Sequence, residues 1–297
     1  MTFFLEVLLS GLLAGVMYAL VALGYVLIYK ASGVFNYAQG AMVFFAALTC
    51  VGFREMGMSL WFAVPLAMGV MIVLAIATER IVLRPLVNQS EITLFMATIG
   101  LSFFIEGLAQ LMWGSTVRPL ELGIEDVPLQ WMLDQTGIAV SQFDLIAALI
   151  CAILVAALAL MFSKTRIGRA LRAVADDHQA AQAVGIPLPY IWAIVWMVAG
   201  FVALVAGLLW GSRNGVQFAL TFVALKALPV LILGGFESVT GAIVGGLIIG
   251  ASEKMAEVYV GPYVGGGIES WFPYVLALVF LLFRPEGLFG EKHIDRV

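Results

Sequence analysis

Charged side chains are scarce in this sequence. Of its 297 residues, 11% are Asp, Glu, Lys or Arg and 63% are hydrophobic. A water-soluble domain has about 25% charged and about 45–50% apolar residues. Folding always leaves a sizeable part of a chain exposed, so a chain of this length cannot hide so much apolar surface from water. The composition therefore excludes an ordinary soluble domain and predicts that lipid is the solvent.

Cysteine and histidine are nearly absent. Cys50 and Cys151 lie in apolar stretches, as packing residues often do. His178 and His293 lie in polar segments, so the sequence predicts no metal site and offers no His-based catalytic group to an intramembrane enzyme. The net charge is only -4, and no basic run is interleaved with aromatic residues. We therefore expect no nucleic-acid partner.

A Gly-Lys pair is also missing. The loop that cradles the phosphates of ATP requires one, and no lysine follows a glycine here: Lys30, Lys164, Lys226, Lys254 and Lys292. The sequence therefore predicts no cofactor for this chain, and any ATP and Mg²⁺ would be bound by partner subunits.

Long apolar runs dominate what remains. A membrane-crossing helix needs about 20 mostly apolar residues, and the first run lacks the basic start and cleavage site of a signal peptide. We predict an all-α, polytopic integral membrane protein with eight or nine crossings, in one transmembrane domain over residues 1–297. The last two runs are short for straight spans and would be completed by flanking residues or be re-entrant. The runs are Val7–Ile28, Gly33–Phe53, Met56–Thr78, Ile92–Val117, Leu145–Ser163, Ile191–Trp210, Gln217–Leu233, Ser238–Ser252 and Ser270–Phe283.

Lysine and arginine set the predicted orientation, because they accumulate in cytoplasmic loops. With nine crossings, ten of the fifteen fall on the side of the segment Lys164–Pro189, four fall on the other side, and Lys226 lies within a run. This distribution predicts an outside N-terminus and a cytoplasmic C-terminus that carries Lys292 and Arg296. The acidic segment Ser115–Gln142 then becomes an outer loop.

A weak internal repeat supports the nine-span arrangement. Gly33–Val43 aligns without gaps on Gly234–Val244, and five of the eleven positions are identical. In this arrangement both copies run outward from the cytoplasmic face, so the repeat is parallel, and repeated halves with broken helices are typical of transporters. Chance is the alternative, since Gly, Ala and Val are abundant.

The first copy of this repeat carries two amides in an otherwise apolar run. Asn36 and Gln39 should face protein or a water-filled path, because unpaired amides are costly in hydrocarbon. Gly40 permits close backbone approach. These residues, with Phe236 and Gly241 from the second copy, are predicted to line a substrate pathway. The alternative is a helix cap at the membrane surface.

Two charged residues lie within the runs. Glu106 is a candidate pathway residue, because charge at the centre of the bilayer is expensive; alternatively it holds two helices together. Lys226 precedes Pro229 and the Gly234-Gly235 pair, which predicts a broken span. Lys226 would then extend to an interface or pair with an acidic group such as Glu106.

The segment Lys164–Pro189 combines a basic start with an acidic turn. Residues 169–174 and 179–184 favour helices, and Gly185 with Pro187 supplies a stop. The segment is longer than a typical link between helices. A pair of short cytoplasmic helices suits the groove of a partner subunit, whereas the alternative is an ordinary connector.

These stretches together resemble the LivH-type permeases of branched-chain amino acid ABC importers. The resemblance spans essentially the whole chain. It includes Gly11–Lys30, Gly33–Ala47, the loop Gly168–Ile186, Gly234–Glu253 and the closing residues Phe283–Gly290. It implies a bacterial inner-membrane subunit without ATPase activity. Its partners would be a second, LivM-like permease, two cytoplasmic ATP-binding subunits and a periplasmic binding protein.

The resemblance also assigns a role to the polar loop. Its Ala180-Ala181 pair and Gly185 match the coupling-loop pattern of ABC permeases, although Asp177-His178-Gln179 stands where a Glu usually precedes the alanines. The residues expected to contact an ATPase subunit are Arg169, Arg172, Asp176, Asp177, Ala180, Ala181 and Gly185. Urea, amides and small aromatic acids are alternative substrates, and an ion-gradient-driven secondary transporter is the alternative class.

Overall fold

The chain is helical throughout the part that the computed structural model describes, which is residues 2–87, 89–176 and 178–290. Extended pairing in these ranges is limited to two isolated bridges, Arg118 with Val216 and Pro128 with Ser141. The predicted all-α class is confirmed. In chain order the α-helices are α1 (Thr2–Ser32), α2 (Gln39–Glu55), α3 (Leu60–Ala77), α4 (Glu91–Trp113), α5 (Gln130–Thr136), α6 (Gln142–Lys164), α7 (Arg166–Asp176), α8 (His178–Ala183), α9 (Leu188–Asn214), α10 (Val223–Lys226), α11 (Leu228–Gly234), α12 (Val239–Tyr259), α13 (Gly261–Val264) and α14 (Phe272–Phe283).

Six of the described helical segments are long and apolar enough to cross a membrane. Shorter apolar helices cover Phe218–Gly234 and Phe272–Phe283, and α2 has 17 residues. The structure thus has a polytopic membrane architecture, while the number of crossings, eight or nine, stays a prediction. The six long segments are Thr2–Ser32, Leu60–Leu86, Glu91–Trp113, Gln142–Lys164, Leu188–Asn214 and Val239–Tyr259.

Two predicted runs differ from the helices that form. The run Ser238–Ser252 was expected to be short, but α12 continues to Tyr259 and has 21 residues. It continues because Glu253, where the apolar run stops, has partners within the protein. The run Gln217–Leu233 is broken into a 3₁₀ turn at Phe218–Phe222 followed by α10 and α11. Pro229, which has no N–H to donate, lies in the first turn of α11, where this is tolerated.

The chain divides into two compact units, each formed by discontinuous segments. The first contains residues 1–23, 123–157 and 226–297, and the second contains residues 24–122 and 158–225. Residues 291–297 lie outside the described residues, and with them Lys292 and Arg296 of the predicted cytoplasmic tail. The single permease domain over residues 1–297 stays a prediction.

Helix α2 forms the core of the second unit. Its residues from Gln39 to Gly52 are all buried, and a helix that is apolar on every side must be enclosed by other helices. Helix α3 packs through a stripe of buried residues, Ala63, Ala67, Met71 and Ala75, each four residues after the last. The opposite side of α3 exposes large apolar side chains such as Trp61 and Val73. That side has the character of a surface facing lipid or another membrane subunit.

Four glycines join α1 and α12 in the first unit. A Cβ atom on Gly11 would lie 2.7 Å from the carbonyl oxygen of Gly250, and one on Gly15 would lie 2.5 Å from that of Gly246. Both helices carry the Gly-x-x-x-Gly spacing that lets helix backbones touch in a membrane, where packing rather than the hydrophobic effect holds helices together. The contact between α1 and α12 therefore depends on the absence of side chains at these positions.

Candidate functional site

The loop between α1 and α2 is organised by two buried amides. Asn36 and Gln39 are both 0% exposed. The Asn36 Oδ1 atom accepts a hydrogen bond from the backbone N–H of Ala38 at 3.1 Å, and Asn36 Nδ2 donates to Gln39 Oε1 at 3.3 Å. Gln39 Nε2 donates to the carbonyl oxygen of Ala199 at 3.3 Å. The two amides thus satisfy each other and attach the start of α2 to α9.

Helix α4 holds the same loop from another side. The Thr98 hydroxyl accepts a hydrogen bond from the backbone N–H of Tyr37 at 3.1 Å and lies 3.3 Å from the carbonyl oxygen of Phe35. The Phe35 ring stacks on Tyr25 with 4.7 Å between centroids. The loop is therefore a fixed element and places Tyr37 and Gly40 in defined positions.

A cavity of about 180 Å³ opens beside this loop within the second unit. Its wall contains Gly40, Glu106 and Ser102, together with Tyr25 and Tyr37. The Ser102 hydroxyl donates to Glu106 Oε1 at 3.2 Å, which holds the carboxylate against α4. Thus two predicted pathway residues, Gly40 and Glu106, share one cavity.

The rest of the wall comes from the broken segment before α11. Phe218, Thr221 and Phe222 line the cavity, and a Cβ atom on Gly40 would lie 2.2 Å from the carbonyl oxygen of Thr221. A larger residue than glycine at position 40 would push this segment away. A carboxylate among aromatic rings suits an organic ammonium ion, through charge pairing and cation–π attraction.

The two predicted amides do not belong to this wall. Among the described residues that line the cavity, the loop and the start of α2 contribute Tyr37, Gly40 and Ala41, but neither Asn36 nor Gln39. Their side chains point into packed protein, where they fix the loop. Their assignment to a substrate pathway stays a prediction, and the geometry gives them a supporting position.

Lys226 contacts a carboxylate that was not among the site residues predicted from the sequence. Its Nζ atom lies 3.5 Å from Glu253 Oε1, and the Tyr18 hydroxyl donates to the same oxygen at 3.1 Å. The Lys226 side chain is 34% exposed, whereas that of Glu253 is 2% exposed. The first unit thus contains an ion pair with a buried carboxylate and a partly exposed lysine. Glu253, rather than Glu106, is the partner of Lys226.

Phe236 and Gly241 belong to the first unit, in the second copy of the repeat. A Cβ atom on Gly241 would lie 2.1 Å from the carbonyl oxygen of Gly234, so this glycine permits a tight turn between α11 and α12. The Ser238 hydroxyl caps α12 by accepting from the Gly241 N–H at 2.9 Å. Both copies therefore form a loop that enters a helix. The pathway role of Phe236 and Gly241 stays a prediction.

The predicted coupling segment forms the helix pair α7 and α8. Gly168, Leu171 and Val174 are the buried residues of α7, while Arg169, Asp176 and Ala180 are exposed. Ala181 is buried and Gly185 is exposed, with a positive φ of 86° that favours glycine. Asp177 lies outside the described residues. Most of the expected contact residues are therefore available at the surface of this chain.

Arg172 has a different position. Its guanidinium donates to the carbonyl oxygens of Phe162 and Ser163 at the end of α6 and lies 5.3 Å from the centre of the Phe162 ring. Lys30 lies 5.3 Å from the same ring. Arg172 thus caps α6 and orients α7, which is a positioning role within the chain.

Glu79 is a second buried carboxylate that was not predicted from the sequence. This carboxylate is buried in a π-helical turn at Thr78–Leu83 and receives two hydrogen bonds from Arg84, at 2.9 and 3.0 Å. The Glu-x-x-x-x-Arg spacing was the available signal, because a charge directly after the end of an apolar run, still near the membrane, needs a partner. For Glu253 the signal was Lys226, a cation in a broken span that lacked an identified counter-ion.

A family model and individual related proteins place the chain in the same family. A sequence model for "Branched-chain amino acid transport system / permease component" matches residues 7–283. The chain is 27% identical to the high-affinity branched-chain amino acid transport system permease protein BraD of Pseudomonas aeruginosa, over 99% of this chain and 98% of that protein. It is also 27% identical to the corresponding protein LivH of Escherichia coli K12, with the same two coverages.

The fold also resembles that of a solved structure. A chain of PsaBC from Streptococcus pneumoniae, determined in complex with Fab, superposes with a TM-score of 0.50 and 14% identity. The match covers 93% of this chain and 90% of that chain. At this identity the likeness concerns the fold alone.

Proposed function

The chain belongs to the family of permease components of branched-chain amino acid transport systems, and from this premise we propose that it moves a branched-chain or related amino acid through the membrane as a subunit of an ABC importer. The observation that carries the proposal at residue level is the Glu106 carboxylate in a cavity lined by aromatic side chains. The permease relatives BraD and LivH, matched over nearly their whole length, support the substrate class.

Energy for transport would come from other subunits. The chain has no Gly-Lys pair with which to hold nucleotide phosphates, so ATP and Mg²⁺ would be bound by two cytoplasmic ATP-binding subunits. The exposed residues Arg169, Asp176 and Ala180 of α7 and α8 offer a surface to one of them. A second, LivM-like permease and a periplasmic binding protein complete the proposed importer.

In the proposed mechanism the cavity holds the ammonium end of the substrate. Glu106 supplies the negative charge and Ser102 holds the carboxylate in place. The aromatic side chains of Tyr25 and Phe218 line the same cavity and would add cation–π attraction. The cavity of about 180 Å³ is smaller than the roughly 300–1,000 Å³ of pockets for drug-sized ligands, which suits a ligand of few atoms. Gly40 keeps the wall closed against Thr221.

ATP-dependent uptake is the test of this proposal. The chain, reconstituted in liposomes with the permease, ATPase and binding proteins encoded beside it, should accumulate labelled L-leucine when ATP is enclosed. A proton gradient alone should not support uptake. Glu106→Gln should lower the rate about tenfold or more, because a charge-assisted hydrogen bond is worth about 1.5–3 kcal/mol.

The matched control is Glu121→Gln, which removes the same charge from an exposed residue and should leave uptake unchanged. Complex abundance must be equal in all samples. Uptake by this chain alone, dependent only on the gradient, would contradict the importer. Wild-type uptake in Glu106→Gln would contradict the role of the cavity but would not contradict the proposal that the chain is an importer subunit.

We also propose an outside N-terminus and a cytoplasmic C-terminus with nine crossings, supported by the distribution of lysine and arginine. Single cysteines placed in a Cys50→Ser, Cys151→Ser background should report it in sealed cells. A membrane-impermeant maleimide should label Glu125→Cys and should miss Ala180→Cys until the cells are opened. Both positions are exposed. Labelling of Ala180→Cys from outside would invert the orientation and remove the coupling role of α7 and α8.

A further inference from the structure

A second cavity lies within the first unit and plays no part in the mechanism above. It has a volume of about 310 Å³ and is bounded by α1, by α12 and by the start of α6 with the loop before it. Its polar wall contains Glu6, Ser10, Ser141, Asp144 and Lys254. All five side chains are partly buried.

The helix that forms one wall presents a continuous face. Glu6, Val7 and Ser10 line the cavity together with Leu13, and residues three or four apart lie on the same face of a helix. Helix α12 contributes Lys254 and Val258, which are four residues apart. Two regular helices thus fix one acidic, one hydroxyl and one basic group.

The third wall is fixed by hydrogen bonds to the loop before α6. The backbone N–H of Leu129 donates to the carbonyl oxygen of Val140 at 3.0 Å, and that of Gln142 donates to Val127 at 2.9 Å. The Ser141 hydroxyl contacts Asp126 and accepts from the Asp144 N–H at 3.3 Å. Asp144 is therefore held at the first turn of α6.

Lys254 is also held in place. Its Nζ atom lies 2.8 Å from Glu269 Oε2, and the backbone N–H of Glu269 donates to Glu257 at 3.0 Å. A lysine ammonium has three donors, so the contact with Glu269 leaves capacity for another anion. The cavity therefore combines two carboxylates with an ammonium group that can donate to a further anion.

We propose that this cavity binds a free amino acid in transit. The ammonium group lies at Glu6 and Asp144, and the carboxylate lies at Lys254. The apolar side chain lies among Val7, Leu13, Val140 and Val258. A polar group of each charge beside an apolar surface is the pattern by which a ligand pocket fixes orientation and excludes molecules that lack one of the groups.

The place of the cavity on α1 suggests when it is used. Helix α1 has 31 residues, about 46 Å at 1.5 Å per residue, which exceeds the roughly 30 Å of hydrocarbon. Glu6 lies in its second turn, at the end that the proposed orientation places outside. The inference rests on the proposed function, and it makes this cavity the first site on the permease that an arriving amino acid occupies.

Equilibrium binding of labelled L-leucine to the purified complex, in lipid nanodiscs and without the binding protein, tests the inference. The reference chain carries Glu106→Gln, so that binding in the cavity of the proposed mechanism is weakened, and all variants below are made in it. Two competitors each lack one charged group: leucinamide has no carboxylate, and 4-methylpentanoate has no ammonium. Both should compete about tenfold or more weakly than leucine, which corresponds to about 1.4 kcal/mol for each lost contact. The double variant Glu6→Gln, Asp144→Asn should lose leucine affinity about tenfold or more.

Lys254→Met gives the sharper result. It should weaken leucine binding while leaving leucinamide unchanged, so that the two compounds compete equally. Glu121→Gln is again the control and should bind leucine as the reference chain does. Absence of saturable leucine binding, equal competition by all three compounds in the reference chain, or unchanged affinity in the variants would overturn the inference. ATP-driven uptake tests the proposed function separately, with the wild-type complex reconstituted in liposomes together with the binding protein. Intact uptake beside failed binding would overturn this inference and leave the proposed function in place.

Discussion

Replacing Lys226 by methionine should lower the free energy of unfolding by about 1–3 kcal/mol, because it leaves the buried Glu253 carboxylate without its cation. The cost is smaller than for a fully buried pair because the Lys226 side chain is 34% exposed. Glu253 is 1% exposed and lies in a helix long and apolar enough to span the membrane. The Tyr18 hydroxyl would be its remaining hydrogen-bond donor among the described contacts. Thermal unfolding of the purified chain in detergent would measure the loss.

The neighbouring residue provides the matched control. Lys254 also pairs with a glutamate, Glu269, but this carboxylate is 39% exposed whereas that of Glu253 is buried, and exposed ion pairs contribute about 0–1 kcal/mol. Lys254→Met should therefore unfold close to the wild type. The double variant Lys226→Met, Glu253→Leu should recover most of the stability, since a buried pair can be replaced by apolar residues. A Lys226→Met chain as stable as the wild type would show that the Lys226–Glu253 ion pair does not stabilise the fold.

Gly250→Ala should destabilise the chain by about 1–3 kcal/mol, the usual cost of an overpacked contact. A Cβ atom there would lie 2.4 Å from the carbonyl oxygen of Gly11 and 2.5 Å from the Cα atom of Gly15. Both neighbours are backbone atoms of α1, so relief requires α1 and α12 to separate along the crossing. Unfolding in detergent and the yield of monodisperse protein should both fall.

Gly69→Ala makes the same chemical change in α3, where a Cβ atom would have no neighbour within 4 Å. Alanine is favoured over glycine within a helix by about 0.8–1.0 kcal/mol, so this variant should be as stable as the wild type or slightly more stable. Opposite signs for the two substitutions are the expected result. Equal effects would show that the glycines of α12 are not close-packed against α1.

Apolar run length predicted most of the fold, because the cost of unsatisfied backbone groups in lipid forces long apolar runs into helices. Each predicted run contains helix in the structure, and the resemblance to a permease family is confirmed by the family match. The ends were less predictable. The run before Glu253 was cut short because a charge normally ends a span, whereas here α12 continues past it. A pairing partner 27 residues away along the chain leaves no local pattern.

The candidate site was predictable only in part. Glu106 and Gly40 could be singled out from the sequence, since a carboxylate and a glycine in an amide-bearing segment are unusual in hydrocarbon. Their shared cavity could not, because it depends on the position of Phe218 and Thr221 in a segment without regular α-helix. Gln39 shows the opposite case. Its polarity was a sound signal of burial, but which way it points follows from the Ala199 carbonyl, which the sequence does not reveal.

The enclosure of α2 has a consequence for the order in which the protein is made. Helix α2 is buried from Gln39 to Gly52, and one of its neighbours, α9, begins only at Leu188. At a synthesis rate of about 5–20 residues per second, α9 emerges roughly 7–30 s after α2. During that interval Gln39 lacks the Ala199 carbonyl as its acceptor. Until α9 is made, α2 therefore lacks one of the helices that enclose it. The centre of the second unit is completed late in biogenesis.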